Sequence, residues 1–263
     1  MKLEVISREP RERRFETPLL FVHGTGHAAW CWDENFLPYF AENGFSAHAV
    51  SLRGHGASAG GENLKWTSIS DYVADLFQAA SALKSPPPVV IGHSLGGLVA
   101  GKYLEKHSAP AGILFAPSPS EGMFLSGFKL YLQNPWLMMK VNLKQDFAMM
   151  FSTPERAKKF LFSDNADDEK IARYVSRFGK ESYRAALEMI YNLPQPKKIK
   201  TPLLLVIGAE NDALIAPKKI EKTARAFRAE CRIFPAMAHD LMLESNWRAV
   251  ADFMIGWLEK KIR

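Results

Sequence analysis

The sequence predicts an α/β protein, with a mostly parallel central sheet flanked by helices and one helical insertion. Three observations carry this expectation. Short, wholly apolar runs recur at residues 19–22, 47–52, 89–91, 112–115 and 203–207, as expected of strands buried on both faces. Amphipathic helical patterns lie between them, and strand alternating with helix is the signature of an open parallel sheet. One long stretch, 120–196, contains no strand-like run.

The elements follow in chain order. Residues 2–7 alternate apolar and polar, as does the approach to Phe15, with Pro10 between, which predicts an opening hairpin. Phe36, Leu37 and Phe40 predict a short helix ended at Asn43-Gly44, where a left-handed residue is easily accommodated. Ile69, Tyr72, Val73, Leu76, Phe77, Ala80 and Leu83 form one apolar stripe behind an expected N-cap at Ser70. Within 120–196, stripes at Phe160-Leu161, at Ile171, Tyr174, Val175 and Phe178, and at Tyr183, Ala186, Leu187 and Ile190 predict helices, the first opened by Thr153-Pro154. Pro194-Gln195-Pro196 closes the excursion, and Trp247 to Leu258 marks a C-terminal helix. The expected organisation is a core domain of residues 1–119 and 197–263 carrying a helical lid at 120–196.

A chain of 263 residues, 47% hydrophobic and 24% charged, is long enough to bury a core and excludes disordered, collagen-like and coiled-coil classes. Residues 1–15 are highly charged and lack the apolar centre of a signal peptide, and no run approaches ~18 apolar residues, so the expectation is a cytoplasmic protein. Cys31 and Cys231 lie far apart and no Cys/His spacing suggests a metal site, so both thiols are expected reduced and no metal is expected. The formal charge of +6 is spread over residues 8–14, 158–159, 197–200, 218–219 and 260–263 without an aromatic-basic motif. This reads as a solvated surface rather than a nucleic-acid interface, leaving room only for weak attraction to acidic lipid.

The chemistry concentrates at Gly92-His93-Ser94-Leu95-Gly96-Gly97, directly between the run 89–91 and a helical-looking segment. A serine in a tight strand-to-helix turn needs small residues two before and two after it, and G-x-S-x-G supplies them. Ser94 is therefore the candidate nucleophile. It needs a base to take its proton and backbone N–H groups to receive the negative charge that develops on the substrate. The Leu95 N–H, at a helix N-terminus, is one such donor. Seven histidines compete for the base role, and His93, though adjacent, is expected to point away from Ser94.

Four segments in order resemble the α/β-hydrolase superfamily, and within it the lidded serine esterases and lipases of the monoacylglycerol-lipase-like and lysophospholipase-like groups. They are His23-Gly24-Thr25-Gly26, the turn 52–58 (Leu-Arg-Gly-His-Gly-Ala-Ser), the serine turn, and 238–244 (Ala-His-Asp-Leu-Met-Leu-Glu). The resemblance covers 19–117 and 203–258; the insertion matches only in position and helical character. It implies a Ser94, Asp212, His239 triad in the order serine, acid, histidine, with Glu210 or Glu121 as the other acids available. It nominates Thr25 as the second oxyanion donor, with Gly26 the alternative. The implied activity is carboxylic-ester hydrolysis through an acyl-serine, with no cofactor and a small ester as the partner molecule. Cleavage of a carbon–carbon bond in a ring-fission diketone, or of a thioester, needs the same triad, and a receptor that captures ligand without turnover is the non-enzymatic alternative. Half of the ten methionines lie in 122–150 beside many aromatics. Met138, Met139 and Trp30 are accordingly candidate walls of an apolar pocket, with packing of the insertion as the competing role.

Overall fold

The computed structural model describes residues 1–83 and 86–262; Arg263, in the last basic run, lies outside the described residues. Seven strands form one sheet: β1 (Glu4–Arg8), β2 (Leu19–Val22), β3 (Ala47–Ser51), β4 (Val89–His93), β5 (Gly112–Phe115), β6 (Leu204–Ala209) and β7 (Glu230–Phe234). Their order is β1-β3-β2-β4-β5-β6-β7, with β1 antiparallel to β3 and every other neighbour parallel.

The apolar runs are strands because both faces are covered, and alternate residues of one strand enter opposite cores. Leu19 and Phe21 pack with α1 (Trp30–Asp33), α2 (Phe36–Glu42) and the C-terminal helix, whereas Leu20 and Val22 pack against the central helices on the other face. Those are α3 (Ile69–Ala82) and α4 (Leu95–Leu104).

Two expectations are corrected. No hairpin opens the chain: β1 pairs with β3, Ser7 opposite His48, while Arg14 and Phe15 donate backbone N–H bonds to the Gly44 carbonyl and Phe15 stacks on Phe45. Burying Phe15 beside α2 removes any need for it to pair as a strand. Helix α3 is capped by Ser68 rather than Ser70. The Ser68 side chain accepts from the Asp71 N–H, and the Asp71 carboxylate accepts from the Ser68 N–H, a reciprocal capping box.

Between β5 and β6 the chain is helical among its described residues: α5 (Phe124–Gln133), α6 (Pro135–Lys144), α7 (Pro154–Leu161), α8 (Asp168–Val175) and α9 (Tyr183–Glu188). The side chains of Thr153, Asp167 and Ser182 cap the last three. Helix α10 (Pro217–Phe227) connects β6 to β7, and α11 (Trp247–Lys261) ends the fold. No described helix is long and apolar enough to cross a membrane.

The parallel strands all end on one edge of the sheet. There β2 is flanked by β3 on one side and β4 on the other, so successive connections leave in opposite directions and a crevice opens between the loops after β2 and β4. Thr25 follows β2, Ser94 follows β4, Asp212 follows β6 and His239 follows β7.

Candidate active site

Ser94 adopts φ 53°, ψ −115°, a conformation that ordinary side chains avoid at a cost of about 1–3 kcal/mol. Glycine at 92 and 96 makes the turn possible. A Cβ on Gly92 would sit 2.1 Å from the Gly96 carbonyl oxygen, and one on Gly96 would sit 2.3 Å from that of His23. The turn is held by Ser94 N–H donating to the Phe115 carbonyl on β5, at 2.9 Å. Gly97 and Leu98 donate to the Ser94 carbonyl, which leaves the Leu95 N–H at the open end of α4, where the helix dipole favours negative charge.

His239 and Asp212 meet as the sequence order implies. Asp212 Oδ2 accepts from His239 Nδ1 at 2.7 Å, and Oδ1 is fixed by the N–H groups of Leu214 and Ile215, each at 2.8 Å. Both side chains are buried. Nε2 is thereby left to face the cavity as a proton acceptor. Burial alone would push the His239 pKa down, but the charge and hydrogen bond of Asp212, with the nearby Asp240 charge, outweigh it and hold it above the ordinary histidine value. The other candidate acids are engaged elsewhere: Glu210 accepts from the Ala236 N–H, and Glu121 pairs with Lys222 at the surface.

Ser94, His239 and Thr25 line one cavity of about 320 Å³. Its remaining wall is mostly apolar and drawn largely from the insertion, including Phe128, Met138, Phe147, Met150 and Met189. Met138 thus lies in the wall, but Trp30 and Met139 do not. Trp30 is buried in a stack with His27, Tyr174 and Phe178 under the Arg177 guanidinium, and Met139, one residue round α6 from Met138, faces outward.

His93, expected to point away from Ser94, turns its ring toward His239. Its ring lies 4.8 Å from that of His239, its Nε2 faces the His239 carbonyl at 3.2 Å, and it lines the cavity. Burial, then the neighbouring His239 charge, lowers its pKa to about 3, so it stands neutral. Sequence reasoning gave no role to Asp240, which is fully buried between His27 (Nε2 to Oδ2, 3.0 Å) and His93 (Nε2 to Oδ1, 3.6 Å). Its place directly after His239 was the available signal. Glu181 of the insertion, for which the sequence offers no signal, is fully buried against the loop after β2. That loop is also tied to the insertion by Gly179 N–H donating to the Gly26 carbonyl at 2.8 Å. The histidine loop is tied there too: Asp240 N–H donates to the Leu161 carbonyl, and Glu244 accepts from Ser163 and from the Ala238 N–H.

Among the described residues, His93, His239 and Asp240 bring ligand-type atoms within 4.8 Å of one another, a grouping invisible in their spacing along the chain. The contacts just described already commit His239 Nδ1 to Asp212, His93 Nε2 to a carbonyl and Asp240 Oδ2 to His27.

Comparisons with known proteins agree with this architecture. An abhydrolase domain-containing protein of Dictyostelium discoideum is 25% identical over 92% of this chain, which spans only 26% of that longer protein. The monoacylglycerol lipase of Mycolicibacterium smegmatis is 23% identical, with 83% of this chain and 80% of the lipase covered. The solved esterase of Exiguobacterium antarcticum superposes with a TM-score of 0.78 at 16% identity, covering 98% of this chain and 95% of its own, a likeness of fold. Residues 19–253 match the model of the alpha/beta hydrolase family. With that match running from β2 into α11, and a strained serine turn at the switch point of the sheet, the chain belongs to the alpha/beta hydrolase family.

Proposed function

We propose that the protein hydrolyses carboxylic esters through an acyl-Ser94 intermediate. The carrying observation is that a strained Ser94 shares a cavity with a histidine whose other nitrogen is fixed by a buried carboxylate. Ser94 Oγ attacks the ester carbonyl carbon while His239 Nε2 takes its proton. The resulting oxyanion lies against the N–H groups of Leu95 and Thr25. Collapse expels the alcohol, which receives the proton from His239. A water, deprotonated in turn by His239, attacks the acyl group, releasing the acid and restoring Ser94. A fluorophosphonate probe should label Ser94, and nitrophenyl esters should turn over faster than a ring-fission dienone or a thioester. Labelling elsewhere, or the reverse ranking, would overturn the reading.

The ascending limb of the pH profile follows from the histidine. His239 must be neutral to accept a proton, and its pKa is raised, so kcat/KM of a short ester should climb through a midpoint above about 6.5. A midpoint at or below that value would contradict the assignment.

The apolar wall supports a substrate with an aliphatic acyl or alcohol group, and residues 120–196 then act as a lid over it. Each added methylene buried there is worth about 0.8 kcal/mol, or ~4-fold in kcat/KM, until the cavity is full. Met138→Ser should flatten this slope, whereas Met139→Ser should not, since only Met138 is in the wall. Equal slopes in a chain-length series of esters for all three proteins would remove the acyl-pocket role.

The outer side of α5 and α6 supports contact with an anionic lipid surface. Leu125, Leu132, Trp136 and Leu143 are exposed there, the last two more than 70%. Residues 122–145 contain three lysines and no acid. Apolar, aromatic and basic side chains together suit a headgroup boundary. Sedimentation with phosphatidylglycerol vesicles should show salt-sensitive binding that Trp136→Ser and Leu143→Ser weaken several-fold; binding unaffected by either substitution would exclude this face.

A further inference from the structure

Two consecutive peptides in the loop after β2 are gripped at their polar ends. The Gly24 carbonyl accepts from His23 Nδ1 at 2.9 Å and from the His27 N–H at 3.2 Å. The Leu52 N–H donates to His23 Nε2 at 3.0 Å, which places the His23 proton on Nδ1. Because the N–H of a trans peptide points opposite to its carbonyl, pinning Gly24 C=O turns the Thr25 N–H the other way. In the next peptide, the Thr25 carbonyl accepts from His27 Nδ1 at 2.9 Å and the Gly26 N–H donates to Glu181 Oε2 at 3.2 Å. The Gly26 N–H is therefore occupied, while the Thr25 N–H has no partner among the described residues.

Behind these contacts stand two buried carboxylates from distant parts of the chain. Asp240, beside His239, holds His27 Nε2 at 3.0 Å. Glu181, from the insertion, accepts from Tyr72 Oη and the Ser182 N–H, both at 2.7 Å, and lies 3.4 Å from His55 Nε2. Burial would neutralise both acids, but the facing histidines prevail and hold Glu181 and Asp240 below the usual carboxylate range. Buried carboxylate–histidine contacts of this kind are weak contributors to stability, because desolvating the groups costs about as much as their attraction returns. Their convergence on one peptide beside the nucleophile calls for another explanation.

We propose that Glu181 and Asp240 are positioning residues for the oxyanion site: Glu181 directly at Gly26, and Asp240 through His27, lock the Thr25–Gly26 peptide so that the Thr25 N–H faces the carbonyl oxygen under attack. This rests on the esterase reading above. It links the geometry of the hole to both the histidine loop and the insertion.

The test compares wild type, Glu181→Met, Glu181→Gln and Asp240→Asn, using nitrophenyl butyrate and an alkyl trifluoromethyl ketone, with rates expressed per phosphonate-titrated Ser94. The ketone accepts the Ser94 oxygen while His239 takes the proton, so its adduct places an oxyanion in the hole. Glu181→Met should lower kcat by ~10²-fold, the cost of one misdirected donor, with KM changed less than about threefold, and ketone Ki should rise in parallel with the loss of kcat/KM. Glu181→Gln, which keeps an oxygen for the Gly26 N–H, should recover to within about tenfold of wild type, and Asp240→Asn should lower kcat by ~10-fold with the same parallel rise in Ki. A merely structural role would change melting temperature and titratable sites without moving Ki per site. Unchanged Ki in both Glu181→Met and Asp240→Asn overturns the proposal; should Glu181→Met not fold, unchanged Ki in Asp240→Asn alone does so. Failure of the esterase reading is separately visible, because the wild type itself would then lack Ser94 labelling and ketone inhibition.

Discussion

Ser94→Ala and His239→Ala should each abolish nearly all ester turnover, by ~10⁶-fold, and the double variant should be no worse than either alone. The non-additivity follows from the arrangement: without the imidazole the hydroxyl has no acceptor, and without the hydroxyl the imidazole has nothing to activate. Neither substitution should unfold the protein. Ser94 carries its strain in the backbone, and alanine in its place removes only a hydroxyl at the cavity wall. Residual rates above that of water would come from the N–H donors and from binding. The measurement is kcat with a soluble nitrophenyl ester alongside a thermal melt. Near-normal turnover in Ser94→Ala would send the nucleophile assignment elsewhere.

Asp212→Asn should lower kcat by ~10⁴-fold while leaving the fold intact. An amide at 212 can present oxygen to the Leu214 and Ile215 N–H groups, and its NH₂ then faces His239 Nδ1 and favours the wrong tautomer. The same substitution removes the largest favourable influence on the His239 pKa, so the remaining activity should show its ascending limb at lower pH. Glu210→Gln and Glu121→Gln should stay within about tenfold of wild type, since neither acid touches the histidine. A reversed ranking would contradict the geometry.

Strands β2 to β6 were legible because burial on both faces leaves an uninterrupted apolar run that no loop imitates. The G-x-S-x-G turn was legible because its glycines answer a local steric demand, seen in the 2.1 Å and 2.3 Å approaches at Gly92 and Gly96. The cap of α3 was within reach, since Ser68-Ile69-Ser70-Asp71 holds the capping-box spacing. Helix α6 was not, because periodicity registers one-sided burial. In α6, Met138 faces a cavity while Trp136, Met139 and Leu143 face outward, so apolar residues surround the axis and no stripe emerges. Trp30 and Met139 were misplaced for a related reason: composition reports that an apolar residue will be covered, not by what. Glu181 lies 155 positions from the Gly26 it holds, a pairing that only tertiary structure creates.

The fastening of residues 179–181 to the loop after β2 constrains how this chain can diversify. A chimera exchanging the whole of 120–196 for another protein's segment would discard Glu181 and the Gly179 contact along with the cavity-lining side chains, and on the proposed function it should lose ester turnover. A graft confined to 122–145 leaves those ties in place and changes only α5 and α6. Exchange of α5 and α6 would thus reshape part of the cavity wall, while the rest of the excursion, which carries Phe147, Met150 and Met189, stays joined to the loop after β2 and to the histidine loop.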